Sequence, residues 1–204
     1  MKLRGFYFIT DRVLCKVSCA DAVRKALDGG ASVVQYREKD LDTLDMVETA
    51  KEIRTITSGR ALFIINDRVD VALASGADGV HLGQDDMNIE DARRVLGSGK
   101  IIGVTVHNLD DALEAEKHGA DYLGVSPIFP TSTKKDAGPA AGLNLIKTIK
   151  SSTKLPCVAI GGINESNVDA VIAAGADAVA AISATVARED IERAVRSFAR
   201  RWQK

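Results

Sequence analysis

Short apolar runs alternate with longer amphipathic stretches along this chain. The runs fall at residues 6–10, 32–36, 62–65, 79–82, 101–104, 122–125, 157–160 and 178–182. Each is too short for a helix, and together they predict eight buried strands. Between them, residues 44–56, 69–74, 89–96, 109–117, 168–173 and 191–202 carry apolar positions at helical spacing and predict helices. Strict alternation of strand and helix implies a parallel sheet. Eight such units predict closure into an α/β (β/α)8 TIM barrel rather than an open doubly wound sheet.

One phrase recurs. It reads Gly29-Gly30-Ala31-Ser32-Val33, then Ser75-Gly76-Ala77-Asp78-Gly79-Val80, then His118-Gly119-Ala120-Asp121-Tyr122-Leu123, and last Ala174-Gly175-Ala176-Asp177-Ala178-Val179. Each copy sits between a helical pattern and a strand. A left-handed glycine ends the helix, and a small residue and an aspartate lead into the strand. The spacing is too long for one βα unit and right for two, so the phrase marks alternate units. No linker or shift of composition breaks the rhythm, and one domain over residues 1–204 is expected.

Composition narrows the partners. A net charge of -1 gives no broad field for nucleic acid or an anionic membrane, so any anion must be held in a local pocket. No stretch of about 20 apolar residues and no long apolar leader segment occurs, which leads to the expectation of a soluble, cytoplasmic protein. Cys15, Cys19 and Cys157 are odd in number and form no zinc pattern, so they read as reduced, buried or incidental thiols. Aromatic residues make up only 4%, in keeping with a barrel filled by branched aliphatic side chains.

In such a barrel the site is made at the C-terminal ends of the strands. Gln35, Arg37 and Lys39 follow strand two at alternate positions, so three donors share one face. A solubilising surface edge would look the same, and Glu38 and Asp40 point the other way. Asn66-Asp67 and Gly83-Gln84-Asp85-Asp86 follow strands three and four. Two aspartates on neighbouring strands suit Mg²⁺, which takes one or two carboxylates and fills its other positions with water and phosphate oxygens. Asp67 could instead cap the helix at 69–74, and Asp85 and Asp86 could form a turn.

Thr105 could donate its hydroxyl to a phosphate, and His107 could orient a ligand. His81, His107 and His118 also fit packing, tautomer-fixed hydrogen bonding or solvent exposure. Gly161-Gly162 and Ile182-Ser183 expose backbone N–H groups at the ends of strands seven and eight, a common phosphate site in barrels. Strand six passes into Pro127-Ile128-Phe129-Pro130-Thr131-Ser132-Thr133-Lys134-Lys135, a stiff entry followed by hydroxyl and ammonium donors suited to phosphate oxygens. It reads as a lid or as a solvated surface loop.

These motifs, in this order and at these distances, resemble the thiamine-phosphate synthase family over nearly the whole chain. The likeness is carried by Tyr7-Phe8-Ile9-Thr10-Asp11, Gln35-Tyr36-Arg37-Glu38-Lys39, Ile65-Asn66-Asp67, Gly79-Val80-His81-Leu82-Gly83-Gln84-Asp85-Asp86, Pro127-Ile128-Phe129-Pro130-Thr131-Ser132-Thr133-Lys134 and Ala159-Ile160-Gly161-Gly162-Ile163. The resemblance implies condensation of hydroxymethylpyrimidine diphosphate with hydroxyethylthiazole phosphate, giving thiamine phosphate and pyrophosphate. It implies that Gln35, Arg37, Lys39, Asn66 and Lys134 bind the pyrimidine diphosphate and that Asp67 and Asp86 hold Mg²⁺. Thr131, Thr133, Gly162, Ile182 and Ser183 would hold the thiazole phosphate. Arg37, Lys39 and Lys134 would stabilise the departing pyrophosphate, and no nucleophilic side chain is required. Thr105 stands where the family usually has a serine, which keeps the hydroxyl and adds a methyl. Lys135 has no assigned role.

Two other readings remain. A thiazole-phosphate tautomerase resembles this chain but needs neither metal nor diphosphate, and its pattern has a histidine where this chain has Pro127. A non-catalytic phosphate-ligand sensor would bind without turnover. Either way the partners are small molecules rather than nucleic acid or membrane, and a homo-oligomer is left open.

Overall fold

The computed structural model describes residues 3–131, 133 and 138–202. Eight parallel strands pair in chain order and close by pairing β1 with β8. They are β1 (Gly5–Ile9), β2 (Val33–Tyr36), β3 (Leu62–Asn66), β4 (Gly79–Leu82), β5 (Ile101–Val106), β6 (Tyr122–Val125), β7 (Cys157–Ile160) and β8 (Ala178–Ala180). One helix follows each strand: α1 (Cys19–Asp28), α2 (Thr43–Thr57), α3 (Val69–Ser75), α4 (Ile89–Leu96), α5 (Leu109–Lys117), α6 (Gly142–Ser152), α7 (Val168–Ala173) and α8 (Ile191–Ala199). The (β/α)8 barrel predicted from the pattern is the fold observed. Helix α8 tightens into a 3-10 turn over Arg200–Trp202, and Phe198 stacks on Phe6 at 5.1 Å, tying the last helix to the first strand.

The strands are buried on both faces, which is why they read as apolar runs without alternation. Phe6, Phe8, Val34, Phe63, Ile65, Val80, Ile102 and Leu123 face the helices and form the larger core. Tyr7, Val33, Leu62, Ile64, Tyr122, Val158 and Ala180 fill the barrel interior. Strand β8 ends at Ala180, two residues short of expectation, because Ala181 and Ile182 leave the ladder to begin a turn. Strand β5 instead runs on to Val106, whose register partner is Val125.

The recurring phrase precedes β2, β4, β6 and β8, the even strands. Gly30, Gly76, Gly119 and Gly175 all have positive φ. The aspartates then do one job three times. Asp78 accepts the Phe63 N–H at 2.8 Å and pairs with Arg54 at 3.0 Å. Asp121 accepts from Ile102 and pairs with Arg93 at 2.7 Å. Asp177 accepts from Cys157 and pairs with Lys150 at 2.8 Å. Each staples the start of an even strand to the odd strand before it, with a cation from the helix that leads into that odd strand: Arg54 from α2, Arg93 from α4 and Lys150 from α6. Ser32 takes the corresponding place in the first copy and donates to the Arg4 carbonyl at 2.6 Å. The repeat therefore belongs to the N-terminal face of the barrel, where it supports the fold.

Candidate active site

A cavity of about 210 Å³ opens at the C-terminal ends of the strands. Gln35, Arg37, Lys39, Asn66, Asp67, Asp86, Thr105, Thr131, Thr133, Gly162, Ile182 and Ser183 all line it. Lys134, the remaining predicted donor, and Lys135 lie outside the described residues.

One wall is built by β2, β3 and β4. Lys39 Nζ is ion-paired with the Asp67 carboxylate. Asp67 sits at φ 63, in the left-handed region that aspartate and asparagine tolerate better than other side chains. Its N–H still donates to the His81 carbonyl at 2.8 Å, so the strand pairing holds while the side chain swings into the cavity. It does not cap α3: the residue at the helix start is Arg68, with no side-chain cap. Asp86 accepts the Gly83 N–H at 2.7 Å, and Gly83 accepts back from the Asp86 N–H, so the predicted turn exists and brings its carboxylate to Asp67. Desolvation, and next the Asp67 carboxylate beside it, push the Asp86 carboxyl above its ordinary range. This wall therefore carries negative charge that Lys39 only partly offsets.

Arg37 is steadied from β1. Asp11 Oδ2 pairs with Arg37 Nη1 at 3.2 Å, while its Oδ1 accepts the N–H groups of Val13 and Leu14, each at 3.1 Å. Thr10 Oγ1 accepts the Arg37 N–H at 3.0 Å, holding the end of β2 to the end of β1. Glu38 turns away from the cavity, is buried, and meets Arg12 at 3.0 Å. The alternate-position reading of 35, 37 and 39 thus describes a real convergence into one cavity. The sequence alone assigns Asp11 no role. An acidic residue just past a strand end, on the strand next to a cavity-facing arginine, was the signal.

The opposite wall is backbone. Residues 127–130 leave β6 and run against the end of β7: Ile128 N–H donates to the Ile160 carbonyl at 2.9 Å and Phe129 N–H to the Gly161 carbonyl at 3.1 Å. Only glycine fits opposite them. A Cβ on Gly161 would lie 2.7 Å from Pro127 Cβ, and one on Gly162 would lie 2.5 Å from the Pro130 carbonyl oxygen, with φ 101 and 62 at the two positions. Next to them Ile182 accepts from the N–H groups of Thr185 and Val186, opening a helical turn whose leading N–H groups are the kind left for an anion.

The cavity floor is a buried hydrogen-bonded row inside the barrel. Gln35 Nε2 donates to Tyr7 Oη at 3.0 Å, Tyr7 and Tyr122 hydroxyls meet at 2.8 Å, and His81 Nδ1 lies 2.9 Å from Tyr122 Oη. His81 Nε2 lies 2.9 Å from Thr105 Oγ1. Of the uses open to His81, the structure shows packing and hydrogen bonding together. His107 meets the Ser126 carbonyl at 2.6 Å rather than lining the cavity. His118 is a surface residue between Glu90 and Glu114, which raise its pKa. No reactive thiol faces the site, and burial pushes Cys157 up to about 12. Among the described residues no group of three or more His, Cys, Asp or Glu is arranged to hold a metal by itself, and no helix is long and apolar enough to cross a membrane.

Comparison with known proteins agrees with this architecture. The chain is 53% identical over 198 residues to a thiamine-phosphate synthase of Methanosarcina barkeri, covering 97% of this chain and 90% of that one. It is 52% identical to a thiamine-phosphate synthase of Methanosarcina mazei, covering 95% and 80%. A solved thiamine phosphate pyrophosphorylase from Pyrococcus furiosus superposes with a TM-score of 0.90 at 46% identity, covering 96% of this chain and 94% of that one. The model of the thiamine monophosphate synthase family matches residues 6–185, and with that match this chain belongs to the family.

Proposed function

We propose that the cavity joins 4-amino-2-methyl-5-hydroxymethylpyrimidine diphosphate to hydroxyethylthiazole phosphate, releasing pyrophosphate and giving thiamine phosphate. The observation that carries this reading is the pairing of two unlike walls in one cavity. A charged wall of Arg37, Lys39, Asp67 and Asp86 faces a backbone wall at Gly161, Gly162, Ile182 and Ser183. A tautomerase has no use for the acidic pair. A sensor needs no second anion cradle beside the first.

Asp67 and Asp86 fit Mg²⁺: both are hard oxygen donors, they stand together, and their mutual repulsion leaves charge for a cation to neutralise. When bound, the ion supplies charge neutralisation at the diphosphate oxygens. Arg37 and Lys39 donate to the pyrophosphate as it leaves, with Asn66 and Thr105 beside them. Lys134 is assigned to the same task from the sequence. Breaking the carbon–oxygen bond leaves a cation that the aminopyrimidine ring delocalises, and the thiazole nitrogen captures it. The chain need supply no nucleophile. Its contribution is to hold two substrates in line and to exclude water that would trap the cation. Thr131, Thr133, Gly162 and the Ile182-Ser183 turn orient the thiazole phosphate.

Incubating the purified protein with both substrates and Mg²⁺ tests this. Thiamine phosphate should appear only when all three are present. Tautomerisation of the thiazole phosphate without condensation would overturn the proposal.

A further inference from the structure

The row beneath the cavity is too well housed to be incidental. Tyr7, Gln35 and Tyr122 are 1%, 2% and 1% exposed, and His81 is 5% exposed. The barrel makes room for it with glycine. A Cβ on Gly103 of β5 would overlap the Tyr122 ring, and one on Gly124 of β6 would lie 2.7 Å from His81 Cε1. An aliphatic barrel interior would otherwise hold branched side chains at such positions. The His81 and Tyr122 rings stack at 5.4 Å, so the row is packed as well as hydrogen-bonded.

The row has a direction. A phenol carries one proton, so it donates once. Gln35 Nε2 can only donate, and Tyr7 Oη is its acceptor. The Tyr7 proton then goes to Tyr122 Oη, and the Tyr122 proton goes to His81 Nδ1. A neutral His81 that accepts at Nδ1 carries its proton on Nε2, which faces Thr105 Oγ1 at 2.9 Å. The Thr105 hydroxyl, having accepted, keeps its proton for the cavity. Rotating the Gln35 amide reverses every bond: His81 becomes the Nδ1–H form and Thr105 gives its proton to the imidazole, offering an anion only lone pairs. Both phenols are held un-ionised by burial, so they remain donors in either direction.

We propose that Tyr7, Tyr122 and His81 are positioning residues forming a one-way relay, which holds His81 as the neutral Nε2–H tautomer and reserves the Thr105 hydroxyl proton for an anionic oxygen of the pyrimidine diphosphate. The Gln35 donation to Tyr7 sets this direction before any ligand arrives, and an anionic ligand reinforces it because only here does Thr105 donate to it. The Gln35 amide is fixed in the same stroke, presenting its carbonyl and its second N–H to the cavity. The substrate assignment rests on the proposed function; the tautomer does not.

The test has two arms. Nitrogen-15 spectra of histidine-labelled protein without ligand, with the His81 signals assigned by comparison with His81→Gln, should show His81 as the neutral Nε2–H form. The Nδ1–H form would overturn the relay. In the second arm, Tyr122→Phe removes one hydroxyl and keeps the ring, and Tyr7→Phe repeats the test from the far end should the first variant fold poorly. Each should populate both His81 tautomers and raise the KM for the pyrimidine diphosphate about tenfold, the scale of one lost hydrogen bond, with the KM for thiazole phosphate unchanged. A lower melting temperature with both KM values and the tautomer unchanged would reduce the row to a structural one. Failure of the wild-type protein to make thiamine phosphate would defeat the proposed reaction while leaving the first arm intact.

Discussion

Lys39 and Asp67 are ion-paired across the tops of β2 and β3, on the edge of the cavity. The lysine therefore stands within reach of both the acidic pair and any phosphate brought to it. Loading the site with a divalent cation at Asp67 and Asp86 would release Lys39 from Asp67 to the diphosphate. Replacing Lys39 with methionine, which keeps the length and removes the charge, should lower kcat/KM at least about 30-fold, the loss of one charge-stabilising donor worth about 2 kcal/mol. Steady-state rates check this, and an unchanged kcat/KM would remove Lys39 from the site.

Asp67 calls for a particular substitution. At φ 63 an alanine would add backbone strain to the loss of the carboxylate, whereas asparagine tolerates that conformation. Asp67→Asn should keep the melting temperature and lower turnover about 100-fold or more, with a weaker apparent affinity for Mg²⁺. A metal titration of initial rates measures both.

With the metal placed as proposed, Asp86 would link pH to metal binding. Its carboxyl is raised, so the folded protein holds this proton to a higher pH than the unfolded chain does. Its ionisation therefore costs stability as pH rises through that interval, the opposite of the usual aspartate. A cation binding the ionised pair reverses the penalty. Added Mg²⁺ should raise the melting temperature at neutral pH and have little effect near about pH 4, where carboxylates protonate. Asp86→Asn should melt at or above the wild type without divalent cation and lose the Mg²⁺ response.

The two ends of the barrel should separate in their effects. Asp177→Ala strips the Cys157 N–H of its side-chain acceptor and Lys150 of its partner. A cost of about 2 kcal/mol is expected, lowering the melting temperature by roughly 4 to 8 °C with kcat/KM retained. At the other end, Gly162→Ala forces a Cβ toward Pro130 at positive φ. Strain of roughly 1 to 3 kcal/mol should accompany a higher KM for the thiazole phosphate. Thermal melts paired with kinetics decide both.

The barrel was legible because parallel strands with both faces covered leave unbroken apolar runs, and because one turn chemistry recurs at every second unit. Strand ends were less so: Ala181 and Ile182 are as apolar as β8 itself, and only the turn hydrogen bonds at Ile182 show that the ladder has stopped. Residues following strands are forced to the cavity rim by the fold, so Arg37, Lys39, Asp67 and Asp86 could be gathered from order alone, whereas Gln35 lies within β2 and reaches the cavity from the interior. The interior row could not. Tyr7 and Tyr122 look like ordinary core aromatics, and the glycines that house their partners look like weak points in β5 and β6. Only the register, with Gly103 beside Tyr122 and His81 beside Gly103, shows that the small residues exist for the large ones.

Quantifying pyrophosphate and thiamine phosphate in one reaction tests the assigned chemistry most directly. With pyrimidine diphosphate, thiazole phosphate and Mg²⁺ present, the two products should accumulate one to one, and Arg37→Ala should slow both together at a cost of at least about 2 kcal/mol in kcat/KM. Pyrophosphate release without thiamine phosphate, or thiazole phosphate isomerised with no pyrophosphate at all, would contradict it.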